Sequence, residues 1–577
     1  MHILGLSCFY HDSAVCLLRD GEVVAAASEE RFTRKKHDSR FPYAAIRYCL
    51  GEAEIEPNQL DAVIFYDKPI VKFERLLRSH IDTFPGSFRH FVSTMPQWVG
   101  TRLRLPKILK QELGYSGPLL YSEHHLSHAA SAFYTSGFDE AAILTVDGVG
   151  EWATASWGVG KGNTIDLRGE IRFPHSLGLL YSAFTWYCGF KVNSAEYKLM
   201  GLAPYGEPRF VDAIRQLIHI AEDGSFHLDM RHFSYPRGQA MFNSRFEEVM
   251  GAPRRPMESS DITQHYKDVA RSIQEITNEA MVRMARDVLE RTGQTKLCMA
   301  GGVALNCVAN GHILRESGVE ELFIQPAAGD AGSAMGAAYV LWNGILNKAR
   351  TQRLPTPYLG PAYSSDQIEA TLKRFGASYR TLDDDDLYDQ VAGLIDETKV
   401  VGWYQGRMEW GPRALGHRSI LGDARHPEMR EIINMKIKMR EGFRPFAPTI
   451  LESHVQDFFE IDRPSPYMLL VADVRDGIDL PAITHVDGSA RIQSINETQD
   501  PRYFSLLNRF HQRTGCPVII NTSMNVRGEP IVNTPEDAYL CFMRTHMDAI
   551  AIGNCLLLKE DQPEIDLKSA AEEFGLD

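Results

Sequence analysis

The feature that most constrains the fold of this 577-residue chain is a pattern that occurs twice. Residues 2–7 (HILGLS) and 13–19 (SAVCLLR) are apolar runs, and Asp20-Gly21 then turns the chain tightly into a third run, 22–28 (EVVAAAS). Residues 141–147 (AAILTVD), 151–159 (EWATASWGV) and 164–172 (TIDLRGEIR) repeat the pattern, with a glycine turn before the last run. Apolar runs of this length joined by tight turns are strands, and Asp-Gly is a strong hairpin signal.

Two three-strand meanders, each followed by helical sequence, predict an α/β fold of the actin-like ATPase kind, in which two ribonuclease-H-like halves face a nucleotide cleft. The chain is too long for one core, and a first domain is expected over residues 1–345. The polar stretch KARTQRLPTPYLGPAYSS (348–365) carries three prolines and marks a connector, set at 346–360. A second domain follows over 361–577, opening with a helix near 365–375, an acidic turn DDDD at 383–386 and a strand KVVGWYQ at 399–405.

A formal net charge of −14 argues against a broad phosphate-backbone interface, so no nucleic-acid partner is expected. The nine cysteines are odd in number and form no CxxC pair, which fits a reducing compartment. The N-terminus lacks the basic region and long apolar core of a signal peptide, and no apolar run approaches the roughly 20 residues of a membrane span. A cytoplasmic protein without a membrane partner is expected, with a homodimer as the default assembly.

The strongest chemical signal is EHHLSH at 123–128. His124 and His128 are four residues apart, and the run AASAFYTSGF that follows is small and apolar enough to continue as a helix. Residues i and i+4 share a helix face with Cβ atoms about 5–6 Å apart, close enough for two imidazoles to share one metal ion. Asp147 ends the strand AAILTV at a glycine turn, and Asp330 sits in the glycine-rich exit of FIQPAAGDAGSAMGAAY. Two imidazoles and two carboxylates suit iron, manganese or zinc.

Glycine turns after strands form a second signal. Gly301-Gly302 follows KLCMA, and Gly329 precedes Asp330. Such turns offer backbone N–H groups at a helix start to a phosphate or ribose. Lys198, in SAEYKLMGLAPYG, adds a point charge that can reach phosphates.

The second domain carries GRMEWGPRALGHRSILGDAR (406–425), with Arg407, Arg413, Arg418 and Arg425 between glycines. Glycine and proline break any helix there, so these guanidiniums are expected on turns, available to an anion. Lys436, Lys438, Arg440 and Arg444 follow, then Arg491 in HVDGSARIQS and Asn521, Asn525 and Arg527 in NTSMNVRGEP. A partly buried arginine needs an anion, and its fork fits a phosphate or carboxylate. In an acidic chain, this clustering points to a small anionic substrate.

Taken together, MHILGLSCFYHDSAVCLLRDGEVVAAASEERFTRKKH, EHHLSHAASAFY, SAEYKLMGLAPYG, AGGVALN, GDAGSAMGAA, GRMEWGPRALGHRSIL, FRPFAP, HVDGSARIQ and NTSMNVRGEP resemble, in order and over nearly the whole chain, the NodU/CmcH-type O-carbamoyltransferases. Members of that family carbamoylate nodulation factors, cephalosporins and aminoglycosides such as tobramycin. The resemblance implies a Kae1-like N-terminal domain and an α+β YrdC-like C-terminal domain. It implies that the C-terminal domain makes carbamoyl-adenylate from carbamoyl phosphate and ATP, with Mg²⁺ accompanying ATP. The carbamoyl group then passes to a hydroxyl of a small-molecule acceptor at an N-terminal site holding Fe²⁺.

By the same resemblance, His124, His128, Asp147 and Asp330 are the iron ligands. Arg413, Lys438, Arg444, Arg491, Asn521, Asn525 and Arg527 form the carbamoyl phosphate and ATP site, and Gly301, Gly302 and Asn306 lie along the adenosine. His11, in the turn CFYHDS between the first two strands, is placed beside the acceptor, where a histidine can take the hydroxyl proton. Residues 66–120 and 224–262 are the expected acceptor-facing insertions, with the mixed-charge run 29–37 as a further candidate.

Two other enzymes share parts of this pattern. An actin-like small-molecule kinase uses the same cleft but needs neither two helical histidines nor an arginine-rich second domain. A tRNA threonylcarbamoyl transferase shares the metal site, but the acidic chain offers no basic face to tRNA. A nucleotide-dependent binding module is the non-enzymatic alternative.

Overall fold

The first meander forms three antiparallel strands: β1 (His2–Ser7), β2 (Ala14–Arg19) and β3 (Glu22–Ser28). β1 also pairs in parallel with β4 (Ala62–Phe65), and β4 with β5 (Leu119–Tyr121), so the sheet order is β3-β2-β1-β4-β5. The second meander comprises β6 (Glu140–Val146), β7 (Ala153–Lys161) and β8 (Thr164–Arg172). After a small hairpin of β9 (Ile218–Ile220) and β10 (Phe226–Leu228), β11 (Lys296–Ala300) and β12 (Glu321–Ile324) complete the order β12-β11-β6-β7-β8. Both sheets therefore run third, second, first, fourth, fifth strand. That repeated order is the duplicated ribonuclease-H-like architecture of actin-like ATPases. The computed structural model describes residues 1–100, 102–238, 240–257, 261–350, 354, 356–438, 442–565 and 574. Arg440 and parts of the connector and of the 224–262 insertion lie outside them.

Burial explains why the strands differ in sequence. β6 is central, and Ala141 to Val146 are all buried, so it is apolar throughout. β8 is an edge whose residues alternate between exposed and half-buried, so TIDLRGEIR alternates polar and apolar. The helix Asp330–Tyr339 packs against both β1 and the helix His124–Ser136. Its small residues follow from that position. A Cβ on Gly336 would collide with the Ser127 carbonyl, and one on Gly5 would collide with the Ala334 carbonyl.

The chain divides into two compact units: Met1–Glu29 with His37–Pro355, and Glu30–Lys36 with Thr356–Asp577. The second unit is α+β. Its strands are β13 (Arg380–Thr381), β14 (Val401–Tyr404), β15 (Arg418–Asp423), β16 (Ala447–Leu451), β17 (Leu470–Asp473), β18 (Ser489–Ile495), β19 (Val518–Ser523), β20 (Ala549–Ile552) and β21 (Cys555–Leu558). They form one mixed sheet, in the order β13-β21-β20-β14-β15-β19-β16-β18-β17. The DDDD run is a helix start rather than a turn. Asp383 caps the helix Asp384–Asp396, its carboxylate accepting from the Asp386 N–H at 2.8 Å, and carboxylates are favoured at that positive end. No described helix is long and apolar enough to cross a membrane.

Candidate active site

The helix His124–Ser136 starts where the sequence places it, and its first turn projects His124 and His128 on one face. Their Nε2 atoms lie 3.1 Å apart. Asp147, just past the end of β6, brings Oδ2 to 3.1 Å from His124 Nε2 and 3.9 Å from His128 Nε2. Asp330, at the start of its own helix, brings Oδ1 to 3.6 Å from both. One ligand atom from each of the four side chains lies within 4.8 Å of the others. Three segments separated by up to two hundred residues thus converge on one point.

The neighbours fix the orientation of these groups. Ser333 Oγ meets His128 Nδ1 at 3.0 Å, which directs Nε2 to the cluster. The Gly302 N–H donates to Asp147 Oδ1 at 2.8 Å, leaving Oδ2 for the histidines. The Glu151 carboxylate accepts from the His124 backbone N–H at 3.1 Å. His125, one residue around the helix, is held neutral: burial and the adjacent imidazoles push it down to about 3. Its Nε2–H donates to the Ala153 carbonyl at 3.0 Å, and its Nδ1 accepts from Thr145 at 2.8 Å, so it braces the helix.

Electrostatics bind the four groups together. Burial pushes His128 down, but the hydrogen bonds and charges of Asp147 and Asp330 outweigh it and lift the imidazole to about 9. Burial pushes Asp147 up, yet His124 and His128 hold it well below the usual carboxylate range. Asp330 is likewise lowered: the histidines overcome its burial and the repulsion of Asp147. Two atoms stay unsatisfied. Asp330 Oδ2 and His124 Nδ1 are buried without a hydrogen bond among the described residues.

The glycine turns lie beside this cluster, with an unexpected arrangement of donors. Gly301 adopts φ +98°, and a Cβ there would collide with the Val146 carbonyl, so the turn requires glycine. The Gly301 N–H goes to the Ala328 carbonyl at 2.7 Å and that of Gly302 to Asp147, so neither is presented to a phosphate. Asn306 caps the helix Cys307–Glu316 through the Ala309 N–H at 3.1 Å and bonds Gln274. Gly329 caps the helix that begins at Asp330. Lys198 is buried, 2% exposed, in the helix Glu196–Leu202.

His11 lies in the β1–β2 turn. Its Nδ1 is 3.0 Å from Asp12 Oδ2, and Asp12 Oδ1 is 2.7 Å from His37 Nδ1. The turn holds two non-glycine residues at positive φ, Phe9 at 75° and Asp12 at 51°. Such conformations persist only where the surroundings enforce them. Burial pulls His11 down, but Asp12, with Asp330 and Asp147 farther off, raises it to about 10.

In the second unit the arginine expectation is corrected in part. Arg418 lies on β15, fully buried, with its guanidinium 3.8 Å from the Tyr404 ring centroid. It donates to the carbonyls of Gln405, Pro361 (3.0 Å), Gly406 (3.1 Å) and His417 (3.1 Å). Arg407 binds the Leu359 and Gly360 carbonyls at 2.8 and 3.1 Å, and Arg425 pairs with Asp423 and Asp396. Backbone carbonyls engage Arg407 and Arg418 and carboxylates engage Arg425, although Arg418 Nε is buried without a hydrogen bond among the described residues.

Of the other expected residues, Asn521 lies on β19, and Lys438 and Asn525 meet just past its end. Asn521 Nδ2 donates to Gln493 Oε1 at 2.7 Å and weakly, at 3.4 Å, to the carbonyl of Ala414, beside Arg413. Arg491 is two residues before Gln493 on β18, hence on the same sheet face. Lys438, 2% exposed, donates to Asn525 Oδ1 at 2.8 Å and to the Ser523 carbonyl. Asn434 ties this segment to the Arg444 carbonyl at 2.9 Å, and Arg444 is 6% exposed. Arg527 follows in the turn where Asn525 Nδ2 meets the Glu529 carbonyl at 2.7 Å. Asn521 Oδ1 and Arg491 Nε are buried without hydrogen bonds among the described residues.

Some participants carried no sequence signal. Ser333, Glu151 and Gln493 are single polar residues whose roles arise only from folding. Arg34 pairs with Glu529 at 2.8 Å, 495 positions away, so residues 30–36 of the charge run are part of the second unit.

The sequence profile described as Carbamoyltransferase N-terminus matches residues 2–339, and that described as Carbamoyltransferase C-terminus matches residues 392–559. An uncharacterised Synechocystis protein is 52% identical, with 100% of both chains covered. The nodulation protein NolNO of Sinorhizobium fredii is 37% identical over 96% of this chain and 79% of its own length. The 3'-hydroxymethylcephem-O-carbamoyltransferase of Amycolatopsis lactamdurans is 31% identical over 62% of this chain and 64% of its own. With both family profiles matched in order across one chain, the protein belongs to the NodU/CmcH-type carbamoyltransferase family.

Proposed function

We propose that this protein is an ATP-dependent O-carbamoyltransferase acting on a hydroxyl of a small molecule. The observation that carries the reading is the His124–His128–Asp147–Asp330 cluster, with ligand atoms within 4.8 Å, in a carbamoyltransferase-family chain. The unsatisfied buried Asp330 Oδ2 and the mixed nitrogen and oxygen donors fit a divalent metal. These four side chains would hold Fe²⁺, which when bound supplies Lewis-acid stabilisation of charge on the adenylate phosphate. Ser333 and Gly302 hold His128 and Asp147 in their ligating orientations.

His11 is assigned the hydroxyl proton. With Nδ1–H directed to Asp12, its Nε2 receives the proton as the hydroxyl oxygen bonds to the carbamoyl carbon and AMP departs. Asp330 and Asp147 are two of the charges that keep His11 protonated.

The second unit, YrdC-like by family resemblance, is assigned the first reaction. Water hydrolyses carbamoyl phosphate to carbamate and phosphate, and a carbamate oxygen then attacks the α-phosphorus of ATP to give carbamoyl-adenylate, with pyrophosphate leaving. Arg413, Lys438, Arg444, Arg491 and Arg527 neutralise the phosphates, and Asn521 Oδ1 accepts from the carbamoyl NH₂. Lys198, Gly301, Gly302, Asn306 and Gly329 line the nucleotide in the first unit, the glycines by permitting close approach.

Incubation with ATP, Fe²⁺, carbamoyl phosphate and a hydroxylated acceptor panel tests the proposal. The expected products are AMP and pyrophosphate, formed only with carbamoyl phosphate. ADP formed without it assigns a kinase instead.

A further inference from the structure

His37 ends the mixed-charge run 29–37 and has no task in the reaction scheme, yet it shares a carboxylate with His11. Both histidines and Asp12 belong to the first unit. Asp12 Oδ2 lies 3.0 Å from His11 Nδ1, and Oδ1 lies 2.7 Å from His37 Nδ1. Burial pushes Asp12 up, but His11 and His37 hold it well below the usual carboxylate range. An ionised carboxylate only accepts, so both imidazoles direct Nδ1–H to it. The result is a chain of side chains, His11–Asp12–His37, with one histidine on each carboxylate oxygen.

The backbone is built around this chain. The turn between β1 and β2 is fastened near both ends to the residues that follow His37. The Phe9 N–H donates to the Ser39 carbonyl at 2.8 Å, and the Ser13 N–H to the Asp38 carbonyl at 2.9 Å. Asp38 is buried and accepts from the Arg40 Nε–H at 2.9 Å, which steadies the fastening. Asp12 sits at φ 51° and His37 at φ 55°, so both ends of their hydrogen bond lie in the left-handed region. Neither is glycine, and a side chain is disfavoured there unless its surroundings enforce it.

The need for a second donor lies in the aspartate's own torsion. Its last torsion is broad and roughly two-fold, so one hydrogen bond leaves the carboxylate plane free to swing. Donors on both oxygens fix it. A fixed Asp12 fixes the His11 Nδ1–H in turn, and with it the direction of Nε2. The Tyr10 ring packs beside the His11 imidazole, 4.9 Å away by centroids, but a hydrogen bond is what selects which nitrogen carries hydrogen. An imidazole that takes a proton as a bond forms works only when its receiving nitrogen is aligned with that proton.

We propose that His37 is a positioning residue for carbamoyl transfer: its Nδ1–H locks the Asp12 carboxylate, so that Asp12 holds His11 with Nε2 towards the acceptor hydroxyl. His37 acts through Asp12 and exchanges no proton with the acceptor. The assignment rests on the reading of His11 as the base.

Two substitutions at residue 37 separate the side chain from the backbone. Glycine adopts the φ of 55° without strain but carries no donor. Asparagine tolerates the same region, and its amide nitrogen is bonded to Cγ as Nδ1 is, so it replaces the donor. Each full-length variant, loaded with Fe²⁺, is given preformed carbamoyl-adenylate and the panel compound that the wild type carbamoylates fastest, over a series of acceptor concentrations. His37→Gly should lower the maximal transfer rate by about 10–100-fold, the range a misplaced catalytic group costs, with the half-saturating acceptor concentration unchanged. His37→Asn should recover most of the wild-type rate. A His37→Gly rate equal to wild type, or a His37→Asn rate as low as that of His37→Gly, overturns the proposal, because the donor is then not what matters. A raised half-saturating concentration with an unchanged maximal rate also overturns it, by assigning His37 to acceptor binding. His11→Ala in the same assay separates the underlying reading. Full activity there removes the base itself, whereas a slow His11→Ala beside a fully active His37→Gly removes only the role of His37.

Discussion

Ser333 Oγ and His128 Nδ1 meet at 3.0 Å across 205 residues of sequence. One small hydroxyl on the Asp330 helix thereby sets which imidazole nitrogen faces Asp147 and Asp330. Losing such a contact to a metal-ligating histidine typically costs about 10–100-fold in metal affinity. Ser333→Ala should weaken iron binding by that factor in a chelator competition, with unchanged circular dichroism.

His124→Ala and His128→Ala should each abolish stoichiometric iron binding. Each removes one of four converging ligands and leaves Asp147 and Asp330 with uncompensated charge. Metal analysis of protein reconstituted anaerobically is the check. Full iron occupancy in both variants would remove the metal assignment.

Arg418 should matter for stability. Replacing it with Met strands carbonyls that now share its donors, at about 1–3 kcal/mol for each left unsatisfied. Arg418→Met should lower the melting transition by several degrees, whereas Arg413→Met should affect catalysis with little change in melting.

His11 should titrate far above an ordinary histidine. Its folded value is raised to about 10, so the His11–Asp12 contact contributes stability fully below about pH 6.5. That contribution fades as pH rises towards 10. In the metal-free protein, NMR titration of the His11 ring should show a midpoint well above 6.5, moving down in Asp12→Asn. Because the base form is required, carbamoyl transfer by the iron-loaded enzyme should increase with pH up to the His11 midpoint.

Legibility followed the range over which each feature is encoded. The meanders are local, so their strands, the Asp20-Gly21 turn and the His124–His128 spacing were readable from short windows. The gathering of Asp147 and Asp330 beside the histidines follows from the duplicated sheet order, which the repeat itself implies. The arginines of 406–425 were harder. Arg413 and Arg418 have similar neighbours in sequence, but only strand pairing decides that Arg418 is enclosed by carbonyls.

The most direct measurement compares two carbamoyl donors in single-turnover transfer. Lys438→Ala and Arg444→Ala should fail with carbamoyl phosphate plus ATP, because a buried anion site has lost its counter-charge. Both should transfer at near wild-type rate from preformed carbamoyl-adenylate, whereas His124→Ala should fail with either donor. Equal failure of the Lys438 and Arg444 variants with both donors would contradict the division of the reaction between the two units.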